Sequence, residues 1–204
     1  MITSTHKSAI DRLLGPVASV LVRLRISPTA ITLTVPLFVL AACVWFVRAR
    51  AVVPFCFVAL FLGSLDGLDG AVARRSGQVT KLGAYLDAMM DRYVEAMVAL
   101  AAAMVSGYWV LIFIVLAGGM MVSYAKARAA MEVPVQNLEW PDWAERAERS
   151  LIFLAGLAAG AAVHWKPGGH DLFWWTLVGL SVLIHATVVQ RMLRARRYIL
   201  QRSS

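Results

Sequence analysis

Apolar residues gather into six long runs separated by short polar stretches, covering roughly 29–47, 51–65, 93–105, 109–124, 151–164 and 172–190. A helix needs about 20 apolar residues to cross a hydrocarbon core. The second, third and fifth runs fall short on apolar count, and each is lengthened by a polar end that carries acidic or basic residues. Ahead of the first run, Ile10, Leu13, Leu14, Val17, Val20, Leu21 and Leu24 recur at helical spacing, with Lys7, Arg12, Arg23 and Arg25 between them. That is the pattern of an amphipathic helix lying on a membrane surface. The expected fold is therefore all-α and integral to the membrane. A juxtamembrane amphipathic helix over 1–27 precedes one compact domain of six transmembrane helices over 28–204. The leader mixes polar and apolar residues instead of placing a basic stub before an apolar core, so no cleavable signal peptide is expected.

Composition agrees with the pattern, since 60% of the 204 residues are hydrophobic and 16% charged, with a mean hydropathy of +0.69. A soluble domain is far more polar. The formal charge of +8 suits a nucleic-acid partner in principle, but its distribution follows topology. Six crossings put the termini and the loops after the second and fourth runs on one side, and that side holds sixteen of the twenty Lys and Arg residues. The positive-inside rule assigns that side, with both termini, to the cytoplasmic face of the cell membrane. No nucleic-acid partner is expected. Cys43 and Cys56 lie inside apolar runs and read as packing residues. The four histidines share no ligand spacing.

Against this background Asp66, Asp69, Asp87 and Asp91 fall within 26 residues. A carboxylate near membrane depth is costly without a partner. Asp66 and Asp69 are three apart and Asp87 and Asp91 four apart, so on helices each pair projects from a single face. The pairs sit at the end of the second run and the start of the third, joined by the turn-rich RSGQVTKLG. Adjacent antiparallel helices would bring all four together, and their repulsion calls for two divalent cations. Hard oxygen ligands suit Mg²⁺ or Mn²⁺. Gly67, Gly70, Ala71, Ala73, Gly83 and Ala84 leave room for a ligand and for close helix packing. Arg74 adds a fixed positive charge able to grip phosphate. Any one of these residues has an ordinary explanation as a cap, a packing residue or a snorkelling charge. Four carboxylates in register with an arginine between them describe a diphosphate site.

Intramembrane carboxylates also mark cation pathways, so a divalent-cation transporter or channel subunit is a competing class. A pathway should continue as polar positions toward the far side. Runs one, two, four and six are nearly featureless there, which favours an enzyme fed from one face.

Asp66, Asp69, Gly70, Ala73, Arg74, Gly83, Asp87 and Asp91 match, without gap or substitution, the DxxDGxxAR, eight residues, GxxxDxxxD signature, and here the chain resembles the CDP-alcohol phosphotransferases. SPTAIT, from Ser27 to Thr32, is similar to the motif that opens the family's first span. The resemblance implies a six-helix membrane enzyme, commonly a homodimer, that moves a lipid-bearing phosphoryl group from a CDP-linked lipid to an alcohol and releases CMP. It implies Asp66, Asp69 and Asp87 chiefly as metal ligands, with Asp91 both at the metal and as the base for the acceptor hydroxyl. Pro28, Thr32, Asp69, Gly70, Ala73, Arg74 and Gly83 then hold the CDP-lipid.

Lys126, Arg128, Arg146, Arg149 and Arg191 cluster near the ends of the last three runs, where the positive-inside rule places basic residues in any case. The KARA, ExxER and QR elements that contain them resemble the phosphatidylinositol phosphate synthase branch. That resemblance implies acceptor binding through Lys126, Arg146 and Arg191, with Arg128 and Arg149 beside them, and inositol 1-phosphate as the acceptor. Glycerol 3-phosphate needs a basic cluster too, so charge alone leaves both open. The bulky stretch from Asn137 to Trp143 is expected either to cover the acceptor pocket or to lie in the membrane interface.

Overall fold

A computed structural model of the chain describes residues 7–132 and 146–202, with side chains from Leu14 to Glu132 and from Arg146 to Gln201. The Asn137–Trp143 stretch lies outside them. Among the described residues the regular structure is entirely helical: α1 Lys7–Arg23, α2 Pro28–Ala49, α3 Val52–Ser64, α4 Leu68–Ser76, α5 Lys81–Ser106, α6 Trp109–Glu132, α7 Arg146–Ala162 and α8 Leu172–Arg202, with a short 3₁₀ turn at Pro167–Gly169. Four segments among the described residues are long and apolar enough to cross a membrane: Pro28–Ala49, Val52–Ser76, Trp109–Glu132 and Leu172–Gln201. The protein is thus a multi-pass membrane protein. Of the two other expected spans, α5 has 26 residues but carries Asp87, Asp91, Arg92 and Glu95 within its first 15. α7 has 17 residues, about 26 Å at 1.5 Å per residue.

The described helices fall into two compact units, α1 to α5 and α6 to α8. In the first, local chemistry sets each boundary. Arg25, at φ 56°, turns the chain out of α1, and Ser27 then caps α2 by accepting a hydrogen bond from the Ala30 N–H at 3.2 Å. Pro28 occupies the first helical position, where its missing N–H costs nothing. Phe46 and Phe55 stack at 4.0 Å across the α2 to α3 turn. Thr80 caps α5 by accepting from the Gly83 N–H at 3.0 Å.

α1 is more than a surface helix. Leu14 and Ala18 are buried with Ile31 of α2 and with Leu68, Ala71 and Val72 of α4, and Leu21 and Val22 pack partly against them. The Arg75 guanidinium of α4 donates to the Ser19 hydroxyl of α1, passing over Gly15, where any Cβ would collide with it. Val17, Val20 and Leu24 form a separate, exposed apolar face.

The second expected run also differs from a continuous helix. It is a corner: α3 ends at Ser64, and the Leu65, Asp66 and Leu68 N–H groups bond back three residues instead of four. Asp66 stands in that corner and Asp69 three residues on, in the first turn of α4, a spacing at which three-residue bonding keeps side chains on the same side. In the second unit, α8 packs against both α6 and α7. Asp171 caps α8 by accepting from the Trp174 N–H at 2.9 Å, and it also receives the Tyr108 hydroxyl at 2.9 Å.

Candidate functional site

The first unit contains a cleft lined by Ile31, Thr32, Val35 and Pro36 of α2, Leu65, Asp66 and Asp69 of the corner and α4, and Asp87, Met90, Asp91 and Val94 of α5. The α5 residues follow i, i+3, i+4, i+7 spacing, which places them on one face. All four predicted aspartates therefore reach the same cleft.

They are not equivalent there. Asp66, Asp87 and Asp91, all half-buried, each bring a carboxylate oxygen within 4.8 Å of the others. Two oxygens bound to one small hard cation at 2.0–2.1 Å lie no more than about 4.2 Å apart, so slight rotation of these side chains lets all three oxygens share one ion. The donor set is all oxygen and all anionic, which fits Mg²⁺ or Mn²⁺.

Asp69 is buried and held separately. Its Oδ2 accepts the Thr32 hydroxyl at 2.5 Å and its Oδ1 accepts the Gly70 N–H at 2.6 Å. The Thr32 hydroxyl also lies 3.2 Å from the Pro28 carbonyl, but it has a single proton. The shorter, charge-assisted bond to the carboxylate takes it. Sequence spacing could not reveal this pair, whose members lie 37 residues apart. Thr32→Val should remove about 1.5–3 kcal/mol of hydrogen bonding to a charged group. In detergent, its thermal unfolding midpoint should fall by several degrees, about 2–4 °C per kcal/mol for a chain of this size. An unchanged midpoint would show that the bond contributes nothing.

The residues expected around a diphosphate sit mainly beside the cleft. Arg74 is exposed on α4, and its guanidinium lies over Gly70: a Cβ there would approach Nη1 to 3.1 Å. Glycine at 70 thus leaves Arg74 room to fold back across the first turn of α4. Ala73, half-buried, is on the same helix. At Gly83 a Cβ would meet the Thr80 hydroxyl at 3.1 Å, so its small size also protects the α5 cap. Pro28 starts α2. Val35, Pro36, Met90 and Val94, which complete the cleft, were not singled out from the sequence; helical offsets from Thr32 and the aspartates are the signal that finds them.

The basic candidates all belong to the second unit. Lys126 and Arg128 are on α6, Arg146 and Arg149 on α7, and Arg191 on α8. Arg149 and Arg191 are buried, and the Arg191 guanidinium donates to the Val122 carbonyl of α6. Lys126 and Arg146 are half-buried. Arg128 instead pairs with Glu132 along its own helix at 2.5 Å, both about half exposed. Such a rim pair contributes little. Burial of two guanidinium groups exceeds what a boundary charge requires, because arginine is rarely buried without a partner.

The chain is similar to known proteins over most of its length. A family model described as CDP-alcohol phosphatidyltransferase matches residues 25–193. The archaetidylinositol phosphate synthase of Methanothermobacter thermautotrophicus is 33% identical, over 96% of this chain and 93% of its own. The phosphatidylinositol phosphate synthase of Streptomyces avermitilis is 34% identical, over 97% of this chain and 83% of its own. The crystal structure of Mycobacterium tuberculosis phosphatidylinositol phosphate synthase with CDP-DAG bound has a TM-score of 0.78 at 26% identity, covering 90% of this chain and 94% of that one. The same protein has also been solved in complex with manganese and citrate, again at a TM-score of 0.78 and 26% identity, covering 89% of this chain and 88% of that one.

Proposed function

This chain belongs to the CDP-alcohol phosphatidyltransferase family, and from that premise we propose that it transfers the phosphatidyl group of a CDP-linked lipid to inositol 1-phosphate, releasing CMP. The observation that carries the chemistry is the meeting of the Asp66, Asp87 and Asp91 oxygens within 4.8 Å, in a cleft that Asp69 also lines.

Asp66, Asp69, Asp87 and Asp91 would hold two divalent cations, Mg²⁺ or Mn²⁺, which when bound neutralise the diphosphate and stabilise charge on the departing CMP. Asp91 takes the proton of the acceptor hydroxyl. The acceptor oxygen then bonds to the lipid-bearing phosphorus, the bond from that phosphorus to the bridging oxygen breaks, and CMP leaves with the electron pair. Thr32 keeps Asp69 oriented. Arg74, with Gly70, Ala73, Gly83 and Pro28 providing close backbone approach, holds the CDP moiety.

The names of the relatives support inositol phosphate as acceptor, and the buried Arg149 and Arg191 support a phosphorylated one. Lys126, Arg146 and Arg191 would contact that phosphate, with Arg128 and Arg149 tuning the surrounding charge. Glycerol 3-phosphate is the second reading, because its phosphate makes the same demand. The enzyme acts as a homodimer with six spans per chain, α5 and α7 being the two that carry polar ends. Both termini and the site face the cytoplasm, and the exposed apolar face of α1 rests in the membrane interface.

The test offers purified protein CDP-diacylglycerol and Mg²⁺ with inositol 1-phosphate, glycerol 3-phosphate, inositol or serine, and measures CMP release. Inositol 1-phosphate should give the highest kcat/KM. Lys126→Ala and Arg146→Ala should each raise its KM about 10- to 100-fold, as expected for loss of a charged hydrogen bond, without moving the KM for the donor. A preference for serine, with those variants unaffected, would refute the assignment of the basic cluster.

A further inference from the structure

On α5, beside the cleft-lining face, Arg92 Nη1 stands 2.7 Å from Glu95 Oε2, with side chains only 20% and 24% exposed. Glu95 Oε2 is itself enclosed by protein, and the contact is ionic, without the alignment of a hydrogen bond. Asp87, Met90, Asp91 and Val94 mark the cleft face of this helix. At about 100° per residue, Glu95 is turned only about 40° from Asp91, one turn further along, and Arg92 about 100°. Enclosed in this way, the Glu95 carboxylate needs a partner for its charge.

The sign of each charge matters to the carboxylates above. An unpaired Glu95 would stack a fifth carboxylate beneath Asp91, at the i, i+4 spacing where like charges repel. An unpaired Arg92 would place a long, permanently cationic side chain beside Asp91, able to reach the carboxylates and compete with a metal ion. Joined, the two cancel.

We propose that the Arg92–Glu95 pair sets the divalent-cation affinity of the Asp66, Asp87 and Asp91 group: Glu95 holds the guanidinium off the carboxylates, and Arg92 cancels the charge of Glu95. Both are positioning residues, and their role rests on reading that group as the cation site.

Mn²⁺ alone, titrated into purified full-length protein in detergent without donor or acceptor, tests this, with free Mn²⁺ followed by its paramagnetic resonance signal. Glu95→Gln should weaken Mn²⁺ binding about three- to tenfold, Arg92→Gln should strengthen it by a similar factor, and the double variant should return near the unsubstituted protein, as expected for one partly screened charge at this range. A pair that only supports the fold would shift both single variants the same way and gain nothing in the double. That pattern, or no shift at all, overturns the proposal. Metal-free unfolding midpoints identify any variant that fails to fold, and the remaining single variant with the double still decides the sign. The Asp66→Asn/Asp91→Asn variant separates the two levels. Mn²⁺ binding that persists in it removes the cation site itself, whereas binding lost there but unmoved by Glu95→Gln and Arg92→Gln removes only the role of the pair.

Discussion

Asp91→Asn is expected to reduce CMP release by at least about 10³-fold while binding of the CDP-lipid remains measurable. A positioned general base contributes about 10²–10⁴-fold, and the amide, although nearly isosteric, accepts no proton at neutral pH. The substitution also removes one of three carboxylate oxygens that lie within 4.8 Å of one another, so loss of a ligand adds to loss of the base. Asp87→Asn separates these contributions, because Asp87 belongs to the same group of carboxylates and is assigned no proton. Raising Mn²⁺ should recover part of the rate in Asp87→Asn and almost none in Asp91→Asn. Initial rates of CMP release against Mn²⁺ concentration read the difference directly. Full turnover by Asp91→Asn would remove it as the base, and equal rescue of both variants would leave it a ligand only.

The features most legible in the sequence were those with a local cause. Apolar runs mark membrane helices because helices satisfy their own backbone in lipid, and the four aspartates stood out because charge near that depth is costly. Geometry that depends on a break or a distant partner was not legible. Asp66 and Asp69 look like part of one continuous helix by spacing, yet three-residue hydrogen bonds at Leu65, Asp66 and Leu68 interrupt the helix between α3 and α4. Asp69 then depends on Thr32, whose hydroxyl no local pattern connects to it. In α1, one apolar stripe proved to be two. Leu14 and Leu21 pack toward α4 with Ala18 and Val22, while Val17, Val20 and Leu24 are exposed. Residue type cannot separate these faces, since protein interior and lipid both accept leucine and valine. Arg128 and Arg149 were alike as sequence, and only burial distinguishes the exposed Arg128, paired along its own helix, from Arg149.

Gly156 and Gly160 were legible in principle and were passed over inside a short apolar run. They form a small-xxx-small stripe on α7, the arrangement that lets helix axes approach closely in lipid. A Cβ at Gly156 would fall 2.4–2.6 Å from Thr176 side-chain atoms of α8, and one at Gly160 would fall 2.7 Å from Phe173 Cβ and 3.0 Å from its backbone nitrogen. Neither neighbour yields easily. Thr176 is β-branched and its hydroxyl donates to the Leu172 carbonyl at 2.8 Å, which fixes its rotamer. Phe173 is 2% exposed and meets Phe153 edge to face at 5.4 Å. Gly156→Leu must therefore force α7 and α8 apart, and in lipid the lost van der Waals packing is not replaced by a hydrophobic driving force. Overpacking of this kind costs about 1–3 kcal/mol or more, so the unfolding midpoint in detergent should drop by about 2–12 °C at 2–4 °C per kcal/mol. Gly179→Leu on α8 is the matched control, because nothing lies within 4 Å of a Cβ there, and its midpoint should hold. Arg149 rides on α7 and Arg191 on α8, so a displaced pair of helices should also raise the acceptor KM while the donor KM stays constant. A Gly156→Leu protein with both midpoint and acceptor KM unchanged would mean that α7 and α8 do not meet through this stripe.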